Sequence, residues 1–501
     1  MPRDARLVDA RSGPIDLQAR LRGADDNRPT WTPPTMSLKV SSNFATAADP
    51  ATLRLSEVIS ALSFALDLVE GQPEGHAVRS CLLGMRLARE VGVPREDLRD
   101  LFYALLLKDV GCSSNSAKVC YLFEADDRVA KQELKTTDWS SMLRSVGYIA
   151  RNVAPAGSLW QKTMGFLRVA RAGTSKAKEL VNIRCERGAT IVRELGLSEA
   201  TAEAIYALDE HWDGNGHPHN LRGTGIPLAA RIIGLAQTFE VFCAKFGNAM
   251  AYEVSRQRCN TWFDPDLVAA LRCIETDEEF WRDYNVSDPR IALPKYEPED
   301  RVLHADEARL DRTASAFAKV IDAKSPWTYC HSEGVAEVAC GIAKVMGLMP
   351  AQVREIRRAG LLHDIGKLGI SNLILDKPSK LNPEEMAQVR KHPAYTRSIL
   401  DKVGAFRSFA DLAAAHHERL DGKGYHRGID AGGLSTAARI LCVADMYEAL
   451  AAKRPYRQDL THGEVFGILN KNKRTGLCPQ VLAALTTFLD QSGITPVRIA
   501  A

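Results

Sequence analysis

Paired cysteine motifs are missing from this sequence of 501 residues. Its eleven cysteines are scattered, none of them forms a Cys-x-x-Cys pair, and an odd number cannot pair completely. This usage favours reduced thiols over a disulfide framework. The sequence therefore predicts a cytoplasmic protein.

A large net charge and a long hydrophobic run are also absent. There are 65 Lys and Arg residues against 62 Asp and Glu, a formal net charge of +3, whereas a protein whose main partner is nucleic acid carries a strong basic excess. The most apolar stretch, residues 226–246, is interrupted by Arg231, Gln237 and Glu240, which argues against a membrane-spanning helix. The N-terminus has no apolar core of signal-peptide length. We therefore expect neither a nucleic acid polymer nor a membrane among the partners.

Strand-like alternation is scarce, and most of the chain has the apolar spacing of amphipathic helices, so we expect an all-α fold. Residues 1–50 are rich in Pro and polar side chains and are expected to form a disordered tail. Pro289, Pro294 and Pro298 lie among charges and indicate a linker. The expected organisation is a tail at 1–50, a helical first half at 51–288, a linker at 289–312 and a helical second half at 313–495.

The two halves resemble each other in sequence. Asp213–Pro218 (DGNGHP) corresponds to Asp421–His426 (DGKGYH), and an Ala-Arg-Ile tripeptide follows each at the same spacing, beginning at Ala230 and Ala438. The separation is 208 residues in both cases (421 − 213 and 438 − 230). Further on, PDLVAAL at 265–271 is similar to PQVLAAL at 479–485. A duplicated domain accounts for the whole set.

Histidine and aspartate are concentrated in the second half, within apolar helical text. A lone histidine is usually a core or surface residue, and we interpret His304 and His462 in that way. Burying several ionisable groups together is costly unless they are paired or bound to metal. Imidazole and carboxylate ligands without cysteine favour a two-metal site of the kind that hydrolyses phosphoesters. The candidate ligands are His331, His363, Asp364, His392, His416, His417 and Asp445.

These motifs resemble the HD-GYP family of HD-superfamily metal-dependent phosphohydrolases. The resemblance covers residues 322–489 and rests on HS at 331, HDIGK at 363, HP at 392, HHExxDGxGY at 416, and Asp445 followed by RPYR at 454–457. It implies two tandem HD-type helical bundle domains and makes all seven candidates metal ligands, with Asp364 bridging. It also implies a catalytic role for Lys367 beside the scissile phosphate. By the same resemblance the substrate would be held by Gly424, Tyr425, Arg454 and Arg457.

The family resemblance further implies two divalent ions, iron or manganese, and hydrolysis of a cyclic dinucleotide by metal-activated hydroxide. The leading substrate is cyclic di-GMP, cleaved to the linear dinucleotide or on to GMP. Two departures from the family pattern matter. His426 replaces the signature proline, which makes the substrate less certain. Trp327 stands where three-metal members carry an additional carboxylate, so we expect two metals.

Two alternative functions stay open, the first because of His426 and the second because the first half looks inactive. An HD hydrolase of another cyclic dinucleotide or of a nucleotide phosphoester keeps the same metal chemistry. A nucleotide-binding signalling receptor with little turnover keeps the site but changes its use, with signalling proteins as partners.

The first half aligns with the second as a degenerate copy. His76 matches His331 and Asp109 matches Asp364, whereas the remaining ligands are replaced by Lys108, Arg184, Leu208, Asp209 and Gln237. Basic residues in place of ligands repel cations, so we expect no metal there. An insertion of 47 residues between Lys108 and Arg184 contains a basic stretch that we interpret as a solvated face, with Arg168, Arg171, Lys176 and Lys178. We expect this half to be regulatory or dimerising, and a homodimer is therefore open.

Overall fold

The computed structural model describes residues 53–137, 142–155, 157–328, 330–452 and 460–492. Within these ranges the fold is all-α, as predicted, with no strand and three isolated β-bridges. The expected tail at 1–50 and the two arginines predicted to bind substrate, Arg454 and Arg457, lie outside the described residues. None of the described helices combines the length and the apolar character needed to cross a membrane.

The first half begins with a helix that packs against the second half and continues with the inserted helices. Its helices are α1 (Leu55–Val69), α2 (His76–Glu90), α3 (Arg95–Leu107), α4 (Ser116–Phe123), α5 (Asp127–Thr136), α6 (Met142–Asn152), α7 (Leu159–Glu194), α8 (Glu199–Tyr206), α9 (Leu228–Phe246), α10 (Asn248–Gln257), α11 (Pro265–Cys273) and α12 (Glu278–Tyr284). Two short 3-10 turns lie between them, at Cys112–Asn115 and Gly223–Gly225.

The second half also begins with three helices of 13 to 16 residues. Its helices are α13 (Glu307–Asp322), α14 (His331–Val345), α15 (Pro350–Leu362), α16 (Asn372–Leu375), α17 (Pro383–Val389), α18 (His392–Leu400), α19 (Arg407–Ala413), α20 (Thr436–Ala451), α21 (His462–Lys471) and α22 (Pro479–Ser492). Short 3-10 turns at Ile365–Gly369 and Gly404–Phe406 precede α16 and α19.

The two halves share one core. The described residues belong to a single compact unit, and one cluster of buried apolar side chains runs from Leu53 to Leu489. Ridges of α14 pack against α15 and α20, while α2 packs against α3 and α9 in the first half. Burial of this apolar surface is the main force that holds the halves together.

The predicted linker at 289–312 is a packed segment. It contains three 3-10 turns, Pro289–Ile291, Leu293–Lys295 and Glu299–Arg301, and α13 begins within it at Glu307. Asp306 caps the N-terminus of that helix, since its side chain accepts a hydrogen bond from the Arg309 N–H at 2.7 Å.

The insertion of the first half builds a small core of its own. Val119, Phe123, Ala130 and Tyr148 are buried together, and the Tyr148 hydroxyl donates to the Ala130 carbonyl at 2.8 Å. Ser158 begins the 36-residue helix α7 with a capping box that it forms with Gln161. The insertion is therefore a folded helical layer.

Candidate metal centre

Seven side chains from distant parts of the second half meet in one cluster, which we call the HD centre. Six of them are buried and one, His417, is half-buried. They are His331 and His392 at the starts of α14 and α18, His363 and Asp364 at the end of α15, His416 and His417 after α19, and Asp445 within α20. All seven predicted ligands are thus brought together.

Backbone carbonyls fix the orientation of three imidazoles. The Nδ1 atoms of His363, His392 and His416 each lie 2.7 Å from the carbonyl oxygen of the residue three positions earlier. Since Nδ1–H donates to that oxygen, each Nε2 lone pair points into the cluster, as a metal ligand requires.

Asp364 lies between two groups of histidines. Its Oδ2 is 3.3 Å from His363 Nε2 and 3.7 Å from His331 Nε2. Its Oδ1 is 3.3 Å from His392 Nε2 and 3.6 Å from His416 Nε2. Each carboxylate oxygen therefore faces its own pair of imidazoles, which is the arrangement of a bridging ligand.

Asp445 completes the two groups. Its Oδ1 is 3.3 Å from His331 Nε2 and its Oδ2 is 3.8 Å from His417 Nδ1. One ligand set is His331, His363, Asp364 and Asp445, and the other is His392, His416, His417 and Asp364. Two sets that share a carboxylate match the donor types of a two-metal hydrolytic site.

The electrostatics of the HD centre favour cations. Burial raises the pKa of Asp364, but His363 and Lys367 outweigh it and hold that pKa well below its usual range. Burial lowers the pKa of His392 to about 4, and burial together with His416 lowers that of His417. For Asp364, His392 and His417 these shifts favour the protonation states in which the groups bind metal, an ionised carboxylate and neutral imidazoles.

Two buried atoms of the HD centre have no hydrogen-bond partner among the described residues. They are His363 Nε2 and Asp364 Oδ1, one in each ligand set. An unsatisfied buried polar atom costs about 1–3 kcal/mol, more when charged. A divalent cation would satisfy both atoms, so the residues present fit the metal that the family implies.

Sequence reasoning missed residues that position the ligands. Glu448, one turn after Asp445, is hydrogen-bonded to His331 Nδ1. Burial alone would lower the pKa of His331, but the carboxylates of Glu448 and Asp445 raise it to about 10. Thr396 donates its hydroxyl to the His363 carbonyl at 2.7 Å and accepts the Gly366 N–H at 3.1 Å. The i, i+3 spacing of Glu448 from Asp445 on one helix face was the available signal.

The DGKGYH loop is tied down beside His417. Glu418 accepts three backbone N–H groups of this loop, from Arg427 at 2.8 Å, Gly428 at 3.2 Å and Ile429 at 2.9 Å. A Cβ on Gly424 would lie 2.5 Å from the Glu418 Cα, so only glycine permits this approach. The loop backbone is therefore held against the residue that follows the histidine pair.

Two of the predicted catalytic and substrate-binding side chains reach the rim of the HD centre. Lys367 Nζ lies 2.5 Å from Asp364 Oδ2 and is partly exposed. The Tyr425 ring lies against the His417 ring with centroids 4.5 Å apart, and Arg390 Cζ lies 5.4 Å from the centroid of the Tyr425 ring. His426 has a φ of 103°, a region that a proline cannot adopt. The loop conformation is thus incompatible with the family's proline.

The corresponding cluster of the first half, which we call the lysine centre, is organised around Asp109. Lys108 Nζ forms an ion pair with Asp109 Oδ2 and lies 2.8 Å from His76 Nε2, while Lys135 Nζ is 3.4 Å from Asp109 Oδ1. Arg184 forms an ion pair with Asp209. Each oxygen of Asp109 therefore meets an ammonium group where Asp364 faces imidazoles.

The lysine centre retains the positioning residues of the HD centre. Glu240 is hydrogen-bonded to His76 Nδ1 as Glu448 is to His331. The two glutamates are again 208 positions apart, which supports the duplication. A third set of possible ligands, Glu70 with Asp109 and Cys112, lies next to this centre. Lys135 already pairs with Glu70 at 2.7 Å, so a cation is in place there.

Known proteins with similar sequences and structures also contain HD domains or hydrolyse phosphodiesters. The HD domain family profile matches residues 166–267 and 315–481. The chain is 40% identical over 439 residues to the 3'3'-cGAMP-specific phosphodiesterase 3 of Vibrio cholerae, covering 88% of this chain and 95% of that protein. It is 38% identical over 173 residues to a cyclic di-GMP phosphodiesterase of Pseudomonas aeruginosa, covering 34% and 41%. A crystal structure of a cyclic GMP-AMP specific phosphodiesterase from V. cholerae matches with a TM-score of 0.60 and 36% identity, covering 87% of this chain and 98% of that one.

The chain belongs to the HD domain family. More particularly, it is a metal-dependent phosphohydrolase of the HD-GYP type.

Proposed function

We propose that this protein is a cyclic dinucleotide phosphodiesterase whose reaction takes place at the HD centre. The observation that carries the proposal is Asp364, each of whose oxygens faces a separate pair of inward-pointing imidazole nitrogens. Two cations in this cluster, iron or manganese, would lower the pKa of a bound water and would neutralise phosphoryl charge. The seven ligands predicted from the sequence are proposed to hold them.

The residues around the cations bind and orient the substrate. Lys367, on the exposed side of Asp364, carries a positive charge that would stabilise a non-bridging phosphate oxygen as the phosphorus is attacked. Tyr425 presents an aromatic ring beside His417 on which a nucleobase would stack. We propose substrate roles for both, for Gly424 as the residue that closes the loop, and for Arg454 and Arg457.

The preferred substrate is proposed to be 3'3'-cyclic GMP-AMP, ahead of the cyclic di-GMP expected from the motifs. The relative with that specificity matches almost end to end, whereas a cyclic di-GMP phosphodiesterase matches only about a third of the chain. The His426 backbone supports a loop that differs from the GYP pattern. Cyclic di-GMP stays the second candidate, because the second half by itself resembles those enzymes.

The test uses full-length protein loaded anaerobically with iron or manganese. It is incubated with 3'3'-cyclic GMP-AMP, cyclic di-GMP and a simple phosphoester, the products are separated by chromatography, and Asp364→Ala is measured in parallel. We expect linear or mononucleotide products, with kcat/KM for 3'3'-cyclic GMP-AMP exceeding that for cyclic di-GMP by about tenfold or more. Tight binding without products would favour the receptor alternative, and turnover of the simple phosphoester alone would contradict the proposal.

For the first half we propose a regulatory role, exerted through α5. The C-terminal part of this helix carries Lys131 and Lys135 into the lysine centre. Its first residue, Asp127, forms a fully buried ion pair with Lys324 at 2.7 Å and accepts the Asn372 N–H at 3.0 Å. Lys324 lies seven residues before His331, and Asn372 follows Lys367 by five. One helix therefore contacts the lysine centre and both segments that flank the metal ligands.

Asp127→Asn tests this role because it removes the charge but keeps the shape. We expect kcat to fall by about tenfold with metal bound, since Lys324 would be left unpaired and the His331 segment would shift. A double variant with Lys324→Met should recover most of the activity. A loss of thermal stability alone, with kcat unchanged, would leave the first half a purely structural role.

A further inference from the structure

Exposed apolar side chains are concentrated at the start of α7. Five of the thirteen large apolar residues that are exposed in the described structure lie within nine consecutive positions. They are Leu159 (85% exposed), Trp160 (72%), Met164 (38%), Phe166 (36%) and Leu167 (41%), and we call them the outward face of α7. A contiguous apolar patch of this kind marks an interaction site.

The helical spacing separates this face from the side of α7 that packs on the insertion. Gly165 is buried against Val153, and Val169 packs against the small core of the insertion. Trp160 and Met164 are four residues apart, as are Thr163 and Leu167, so they lie along the opposite side. This stretch of α7 therefore points its apolar residues outward and needs a partner to cover them.

The segment that carries the outward face has charges of one sign in its sequence, although Arg168 pairs with Glu124 and Lys176 with Glu179. Residues 142–178 contain seven Lys or Arg and no Asp or Glu, whereas the rest of the chain has 58 basic residues (65 − 7) against 62 acidic ones. Arg151, Lys162 and Arg171 are exposed and form no ion pair among the described residues. The near-balanced charge of the whole chain concealed this local basic segment.

We propose that the outward face of α7 binds the surface of an anionic lipid bilayer. Leu159, Met164 and Leu167 would enter the boundary between headgroups and acyl chains, with Trp160 at headgroup level. The basic side chains, which have long apolar stems, would reach the lipid phosphates. A second copy of the chain fits less well, because two such faces would bring like charges together. A nucleic acid strand fits less well because the face is mainly aliphatic.

This surface lies on the insertion and uses none of the HD centre, so the proposal extends the protein's role beyond hydrolysis. A bilayer-bound enzyme would degrade its nucleotide at the membrane surface. The proposal departs from two expectations of the sequence analysis, that the basic stretch is a solvated face and that no membrane is among the partners. Neither expectation took account of the exposed apolar side chains beside the basic ones.

The test is vesicle sedimentation with the full-length protein. Vesicles of phosphatidylcholine are compared with vesicles of phosphatidylcholine mixed with phosphatidylglycerol, at low and at high salt. We expect binding to the phosphatidylglycerol vesicles only, weakened by salt because screening shortens the reach of the charges. Each basic contact with an anionic surface strengthens binding by roughly fivefold. Trp160→Glu should weaken binding by about tenfold or more, because it removes an apolar side chain and adds a negative charge.

Ile291→Glu is the matched control, because Ile291 is 74% exposed and lies outside the outward face. It should bind vesicles like the wild type. Lys162→Glu is a second variant on the same face and should weaken binding without changing apolar area. The proposal is overturned if phosphatidylglycerol vesicles are not bound at low salt, if pure phosphatidylcholine is bound equally, or if Trp160→Glu behaves like Ile291→Glu. A concentration-dependent dimer that Trp160→Glu dissociates would also overturn it, since the face would then be covered by a second copy.

Discussion

The HD centre and the lysine centre place a buried aspartate at the same point of the same fold and neutralise it in different ways. Asp364 faces imidazole nitrogens on both oxygens, and two buried atoms are left without protein partners. Asp109 faces Lys108 on one oxygen and Lys135 on the other. A buried carboxylate needs a compensating charge in either case. In the second half Lys367 meets one oxygen of Asp364 and two cations would supply the remaining charge, whereas in the first half both neutralising groups are attached to the chain.

His331 and His76, the equivalent histidines of the two centres, differ in the direction of their pKa shifts. Carboxylates raise the pKa of His331 to about 10, although burial opposes them. Burial, with help from Lys108, lowers the pKa of His76 despite the neighbouring Glu240. A covalently attached ammonium does not lower the pKa of a bound water as a metal ion does, so we expect the first half to keep the fold without the metal chemistry.

Asp364→Ala should have the largest effect on this comparison. Residues that only support metal ligands typically cost about 10–100-fold in activity when they are replaced. Loss of a ligand shared by both metals should cost more, so we expect phosphodiesterase activity to fall by more than about a hundredfold. Asp109→Ala is the matched variant and should keep its activity per folded molecule. Equal losses in the two variants would mean that the first half takes part in the chemistry.

Lys108→Met should act on stability. It leaves Asp109 buried without its nearest cation, so the free energy of unfolding should fall by about 3–5 kcal/mol, measured by urea denaturation. Activity below the melting temperature should change little. The exposed Lys344→Met provides the control and should stay within about 0.5 kcal/mol of the wild type. A stable Lys108→Met protein would contradict the view that this lysine replaces a metal.

Glu448→Gln and Glu240→Gln separate the two centres by a smaller effect. Glu448 orients a metal ligand, so its amide variant should lose about 10–100-fold in metal affinity or kcat. Glu240 holds His76, which is equivalent to His331 but is expected to bind no metal. Glu240→Gln should therefore leave kcat within about twofold of the wild-type value. Kinetics at saturating metal, beside metal titration, distinguish a loss of affinity from a loss of turnover.

His426→Pro should have the smallest effect. A proline cannot adopt the φ of 103°, so the loop must rearrange and Tyr425 should leave its position against His417. We expect KM for the cyclic dinucleotide to rise by about tenfold, less than a fully misplaced group can cost. His426→Asn should be nearly neutral, because asparagine tolerates positive φ. Unchanged KM in the proline variant would show that this loop does not contact substrate.

The sequence was sufficient for the helical class and for the members of the HD centre, because HD and HH pairs in apolar helical text are costly to bury without metal. It also identified Lys108 and Arg184 as replacements for ligands. It did not identify Lys135, which enters the lysine centre from the insertion and has no counterpart to align with. The motif HHExxDGxGY contains Glu418, but its role was not identified, because its three hydrogen bonds go to backbone N–H groups that carry no sequence signal.

The packing of the predicted linker was not foreseen for a related reason. Three prolines and many charges indicate a break between helices, but they do not report what the segment packs against. Glu297 lies within it and is almost fully buried, accepting hydrogen bonds from Ser56 at 2.9 Å and Arg54 at 3.0 Å. Contacts of this kind join residues more than 240 positions apart, which local patterns do not reveal.

Metal analysis of anaerobically prepared protein tests the central claim most directly, with wild type, Asp109→Ala and Asp364→Ala compared side by side. The account predicts two metal ions per chain in the wild type and in Asp109→Ala, because both ligand sets lie in the second half, and loss of both in Asp364→Ala. A third equivalent in the wild type, or a loss of metal in Asp109→Ala, would contradict the account.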